Sequence, residues 1–222
     1  MSALLTILQH ADSAFPSGSF AFSNGVEGLA AINAPLDRSG LRDIVAMVLQ
    51  HRWATSDRVA VMRAHRAGEN FDELAVLDQA VEAATLSEPL RSGSKRNGNA
   101  LLAAHTRLST PGAGELRAHV AAEKLHGHLP VVQGFLWRAH GMTGSDAMTI
   151  SGYTTASGLI AAAVRLGRIG AVEAQAVLAA LLPTIAALST PVAPDARIES
   201  FLPWVDAAAS RQAHAHLRLF AS

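Results

Sequence analysis

The chain has 222 residues, half of them apolar, with 18 basic residues balancing 18 acidic ones and no cysteine. That length suits one domain with a full core. Charge balance argues against a nucleic-acid partner, since phosphate binding shows as a basic excess. The absence of cysteine excludes disulfides, thiolate nucleophiles and cysteine-based zinc sites. The opening MSALLTILQH lacks the basic and long apolar regions of a signal peptide. The longest uninterrupted apolar runs, near 159–164 and 176–182, fall short of the roughly 18 residues a membrane span needs. A cytoplasmic chain without a membrane partner is the expectation.

Residues 11–28, ADSAFPSGSFAFSNGVEG, set Phe15, Phe20 and Phe22 around a Pro-Ser-Gly-Ser turn. Loops are ordinarily polar, so an oily and rigid loop needs a reason. Ser17, Ser19 and Ser23 suit turn geometry better than nucleophilic chemistry. Ser23 or Asn24 is expected to cap the helix that follows, with Glu27 at its positive end.

Helical signals run through the rest of the chain. Leu41, Ile44, Val45, Val48, Leu49 and Trp53 recur on one helical face. Asn70 and Glu73 form a capping signal before Leu74, Leu77 and Val81. A helix is expected from Ser94 to Leu108, stopped by the Ser-Thr-Pro-Gly turn at 109–112, and another over Glu115–His126. Pro130 sits where a first helical turn tolerates it. Residues 145–165 and 171–188 read as alanine-rich helices, the second carrying Pro183, and a last helix spans about 204–217. Period-2 alternation never persists, so the fold class is all-α. The chain reads as one domain over 1–222, its Pro-rich stretch 189–196 connecting to a last helix and tail.

The segment SGSKRNG (92–98) lacks P-loop spacing, and no G-x-G-x-x-G, H-E-x-x-H or G-x-S-x-G occurs. His126 and His128 form an H-x-H pair at a helix end and are the candidate metal ligands. His214 and His216 form a second pair, but on a helix those two rings diverge. Neither pair has an obvious third ligand nearby in sequence. A histidine-based metal-binding protein and an all-α regulatory module that binds a small ligand therefore stand as alternatives.

These stretches carry a family likeness. ADSAFPSGSFAFSNGVE resembles the opening signature of the urease accessory protein UreF family. SEPLRSGSKRNGNALL (87–102) is similar to its Glu-x-x-Arg…Ser…Gly-x-x-Leu-Leu segment. HLPVVQGFLWRAHG, AVRLGRIGAVEAQAVL and the end FLPWVDAAASRQAHAHLRLFAS resemble its later segments. Gln212, Ala213, Arg168, Ala171 and Ala221 depart from the family pattern.

The resemblance implies an all-α cytoplasmic chaperone with no catalytic residues. It implies a homodimer that binds a UreD/UreH-type accessory protein and a UreG-type GTPase, and delivers nickel to apo-urease without holding a stable cofactor. The loop residues Phe15, Pro16, Ser17, Gly18, Phe20, Ser23 and Glu27 then read as a binding surface, with Phe anchors and a low ordering cost from Pro16. Arg91, Lys95 and Arg96 read as a docking face for the GTPase, and Gly98 as a point of close backbone approach. The tail from 211, with Arg211, Arg218, Leu219 and Phe220, reads as a partner-binding element. Small residues on the alanine-rich helices suit the dimer contact.

Overall fold

Amphipathic segments become helices here because only helices satisfy their own backbone while presenting one apolar stripe to a shared core. The computed structural model describes residues 3–17 and 22–213. Their helices are α1 (Ala3–Ala11), α2 (Val26–Ala31), α3 (Arg38–Val48), α4 (Arg58–Ala67), α5 (Phe71–Ala84), α6 (Glu88–Arg107), α7 (Ala113–Ala121), α8 (Leu129–Ala139), α9 (Gly144–Arg165), α10 (Ala171–Leu188) and α11 (Pro203–Ala213). No strand occurs among the described residues.

Two large apolar clusters hold the bundle. One joins α2, α3, α9, α10 and α11 around Val26, Leu41, Val45, Leu159, Val177 and Val205. The other joins α4 to α8 around Leu74, Leu102, Leu116, Val132 and Phe135. Glycine sets the closest crossings. A methyl group at Gly134 of α8 would overlap the Val61 carbonyl of α4, and one at Gly28 of α2 would overlap the Ala208 carbonyl of α11.

Several helix ends follow their sequence signals. The Asn70 side chain accepts from the Glu73 N–H, and Thr143 and Asp146 form a reciprocal capping box at the start of α9. Others differ. Neither Ser23 nor Asn24 caps α2 through its side chain: Gly25 holds the N-cap position at φ +92°, and Asn24 is itself left-handed. Helix α7 stops at Ala121 rather than near 126. Glu123 turns left-handed there, and the Lys124 N–H closes onto the His119 carbonyl. Helix α6 begins at Glu88, six residues ahead of the expected start, and runs through Gly93 and Gly98.

Between α3 and α4, residues Leu49–Asp57 continue as a π-helix, so the stripe of Leu41 to Trp53 stays buried while the winding widens. Trp53 is fully buried and donates its indole N–H to Ser151 of α9 at 3.0 Å. The wide turns leave acceptors for a strap formed by residues 189–202. Glu199 N–H donates to the Thr55 carbonyl at 3.0 Å, and the Thr55 hydroxyl donates to the Glu199 carbonyl at 2.7 Å. Arg58 reaches the carbonyls of Leu188 and Thr190, and Arg66 that of Val192. The Pro-rich stretch is therefore pegged to the body of the bundle and is not a free linker.

Taken as whole helices, α9 and α10 are long and apolar enough to cross a membrane, which the uninterrupted apolar runs do not reveal. Both belong to the core described above, α9 with more than half of its apolar window buried inside the chain.

Candidate functional site

The opening loop turns much of its apolar surface inward. Phe15 is half-buried, stacks on His10 with ring centroids 4.8 Å apart, and packs against the second core cluster. Phe22 is buried with Leu90 and Ala209. It lies directly over Gly93 of α6, where any side chain would occupy the space of its ring. Ser23 and Glu27 are buried as well, so the structure places these two candidates inside the chain and not on a surface. Pro16 is exposed and Ser17 half-buried. Gly18 and Phe20 lie outside the described residues. A cleft of about 580 Å³ runs between this loop and the second half of α6, lined by Asp12, Phe15, Pro16, Ala103, Arg107 and Leu108 among others.

The polar run on α6 divides. Glu82 of α5 collects Lys95 at 3.1 Å and Arg91 at 3.5 Å, and Arg91 also donates to the carbonyls of Thr85 and Leu86. These two cations tie α6 to α5. Arg96 is exposed and makes no hydrogen bond or ion pair among the described residues. Gly98 does admit a close backbone, and the backbone is this chain's own: the Gly127 carbonyl lies where its methyl would be.

That carbonyl belongs to a loop built around Asp78. The fully buried Asp78 carboxylate accepts from the backbone N–H groups of His126, Gly127 and His128. The left-handed Gly127, at φ +78°, aims the three donors at one side chain. His128 is fully buried, with one ring nitrogen 2.7 Å from Glu82 and the other 3.1 Å from the Ser94 hydroxyl. Burial lowers its pKa against the opposing pull of Asp78 and Glu82. Desolvation raises the pKa of Glu82, but hydrogen bonds from His128 and Lys95 outweigh it and hold the group below its ordinary value. His126 is paired with Gln79 at 2.8 Å. Both ring nitrogens of His128 and one of His126 are engaged in these bonds, which hold the loop in place.

A different set of histidines converges. His10 of α1, His105 in the last turn of α6 and His140 just after α8 each bring one ring nitrogen within 4.8 Å of the others. Their rings stack or meet edge-on at centroid separations of 4.8–5.1 Å. His10 and His105 are buried and His140 partly so. No motif marks this cluster, because its members come from three distant segments and only α1, α6 and α8 bring them together.

Burial lowers all three pKa values, most for His105, which falls to about 3 through desolvation and its two neighbours. A histidine with a depressed folded pKa binds fewer protons than the unfolded chain does. Its contribution is complete above about pH 6.5 and is lost as pH falls toward 3. Metal-free protein is expected to lose about 2 kcal/mol between pH 6.5 and 5 from His105 alone. Urea midpoints across that range check this, and a His105→Leu variant should flatten the slope. An equal slope in that variant would remove His105 as its source.

Arg211 is exposed at the end of α11. Arg218, Leu219, Phe220 and the pair His214 and His216 lie outside the described residues.

Comparison with known proteins adds a lineage to this geometry. The chain matches the family model described as UreF over residues 36–182. It is 35% identical over 235 residues to urease accessory protein UreF 1 of Brucella melitensis, covering 98% of this chain and 92% of the relative. It is 28% identical to urease accessory protein UreF of Trichodesmium erythraeum, over 100% of this chain and 98% of that one. For its counterpart in Yersinia enterocolitica the identity is 29%, over 100% and 99%. The expectation drawn from the sequence motifs is thereby met, and the chain belongs to the UreF family of urease accessory proteins, chaperones rather than enzymes.

Proposed function

We propose that this chain bridges a UreD/UreH-type accessory protein and a UreG-type GTPase while apo-urease receives its nickel. The end-to-end likeness to UreF relatives is the observation that carries the reading. Nickel is cargo in this scheme, not a resident cofactor, and the work is done in the cytoplasm by a homodimer. The dimer contact uses the outer face of α10, where Val172, Ala179, Leu182 and Ala186 are exposed and uncharged. Small residues there allow close approach of a second helix.

Exposure narrows the partner-facing residues to Pro16, Arg96 and Arg211 among the described candidates. Arg91 and Lys95 act on docking through the shape of α6, since both are committed to Glu82. The GTPase docks on the stripe of α6 that carries Arg96, where an unpaired cation tunes on-rate and specificity. The UreD/UreH-type partner takes the segment beyond α11.

Pull-downs with the three partner types test this. Arg96→Glu is expected to cut GTPase capture at least tenfold with helicity unchanged. Removing residues 214–222, which leaves α11 whole, is expected to abolish capture of the UreD/UreH-type partner and leave the thermal midpoint nearly unchanged. Wild-type capture by both variants would defeat the assignment of these surfaces.

A further inference from the structure

We propose that His10, His105 and His140 form a three-imidazole site for one divalent first-row transition ion. This goes beyond the bridging role and does not depend on it.

Tautomers come first. His10 Nδ1 lies 2.8 Å from the Thr6 carbonyl, which can only accept, so Nδ1 carries the proton. Its Nε2 therefore presents a lone pair. That atom is buried and has no hydrogen-bond partner. Leaving a buried polar atom unmet is costly, and native structures avoid it unless something occupies the place. The bond from His10 Nδ1–H to a main-chain carbonyl is also the arrangement that metal-ligating imidazoles use to fix their tautomer and orientation.

Distances come second. His105 Nδ1 and His140 Nε2 are 3.2 Å apart. An ion bound at 2.0–2.1 Å in a tetrahedral field spaces its ligands by about 3.3 Å. One edge of the polyhedron is thus already set. The third nitrogen lies within 4.8 Å, and swings of about 1 Å shared among the rings close the set. His140 follows the end of α8 and is only partly buried, so it has room to move. The Thr110 hydroxyl touches these same two nitrogens, 2.9 Å from His105 Nδ1 and 3.1 Å from His140 Nε2, so on metal binding it gives up those bonds and swings aside or turns its oxygen to the ion.

The donor set chooses the ion. Three neutral imidazoles with no carboxylate or thiolate in the cluster suit nickel, copper or zinc, and disfavour magnesium and calcium. Three protein ligands leave a position for water or an exchangeable group. Phe15 stacks on His10 and tilts against His105 with centroids 5.4 Å apart, shielding the cluster beside the cleft. The alternative occupant is a proton shared by His105 and His140, which would need no ion.

Calorimetric titration of the full chain with nickel chloride and with zinc chloride separates the two. A His214→Ala/His216→Ala background silences the tail pair. One equivalent per chain is expected, with affinity falling at least a hundredfold in His10→Gln and in His140→Gln. Unchanged affinity in either variant, or no stoichiometric binding by wild type, would overturn the site. His105 is fully buried, so it is left intact. X-ray absorption on the metal-loaded wild type needs no variant: about three imidazole nitrogens near 2.0–2.1 Å are expected, and an oxygen-dominated shell would overturn the assignment. These measurements use no partner protein, so their outcome is separate from that of the pull-downs.

Discussion

Asp78→Ala is expected to destabilise the chain by about 4 kcal/mol. Its carboxylate accepts three main-chain N–H groups in a buried loop, and hydrogen bonds to a charged group contribute about 1.5–3 kcal/mol each when one partner is removed. Three such bonds sum to more than 4, but water entering the cavity recovers part of the loss. For a chain of this size that is about 8–16 °C in thermal midpoint. Asp78→Asn keeps the shape and one acceptor oxygen, so it should lose about half as much. The same lesion should release His128, because the amide that fixes its backbone and the ring bonded to Glu82 belong to one residue. Urea denaturation of both variants decides the matter. A loss below about 1 kcal/mol for Asp78→Ala would show that the loop holds itself.

Gly93→Val should cost about 3 kcal/mol, against the sign that helix propensity gives. Replacing a mid-helix glycine by a residue with a side chain ordinarily gains up to about 1 kcal/mol, less for a β-branched one. Here the new side chain would occupy the space of the Phe22 ring. Expelling a buried phenylalanine loses about 1.5–3 kcal/mol, and forced repacking adds about 1–3. Sterics therefore win. A double-mutant cycle with Phe22→Ala checks the cause: the cavity left by that change receives the new valine, so the pair should be less damaged than the sum of the singles by 1 kcal/mol or more. Additive losses would place the damage elsewhere. Because Phe22 anchors the loop that carries Pro16, the Gly93→Val protein should also capture partners less well.

The elements that obeyed local rules were legible in the sequence. The cap at Asn70, the helical stripe from Leu41 to Trp53 and the alanine-rich pair α9 and α10 rest on neighbours close in the chain. What escaped was set by distant contacts. The expected helix starts at Ser94, past Gly93, yet α6 runs through Gly93 because that position seats Phe22; Gly98, inside the expected helix, admits the Gly127 carbonyl. The end of α7 carries no glycine or proline, since Glu123 itself takes the left-handed turn. Among candidate residues, sequence identified the 88–102 stretch but could not say that Lys95 and Arg91 serve Glu82 while Arg96 does not. It singled out His126 and His128 through adjacency, and passed over His10, His105 and His140 because only the fold makes them neighbours.

The packing of α11 on α2 has a consequence for how the chain is made. Leu29 and Val26 of α2 share their cluster with Val205 and Ala208, and the methyl-free face of Gly28 fits the Ala208 carbonyl. The first partner leaves the ribosome well before the second. At about 5–20 residues per second, on the order of ten to thirty seconds of translation separate them. Over that interval the strap arginines have no carbonyls to grip and α2 shows bare apolar surface to the cell. The nascent chain is therefore a client for protection before it can protect anything else, and the α2–α11 clasp closes only once α11 has emerged.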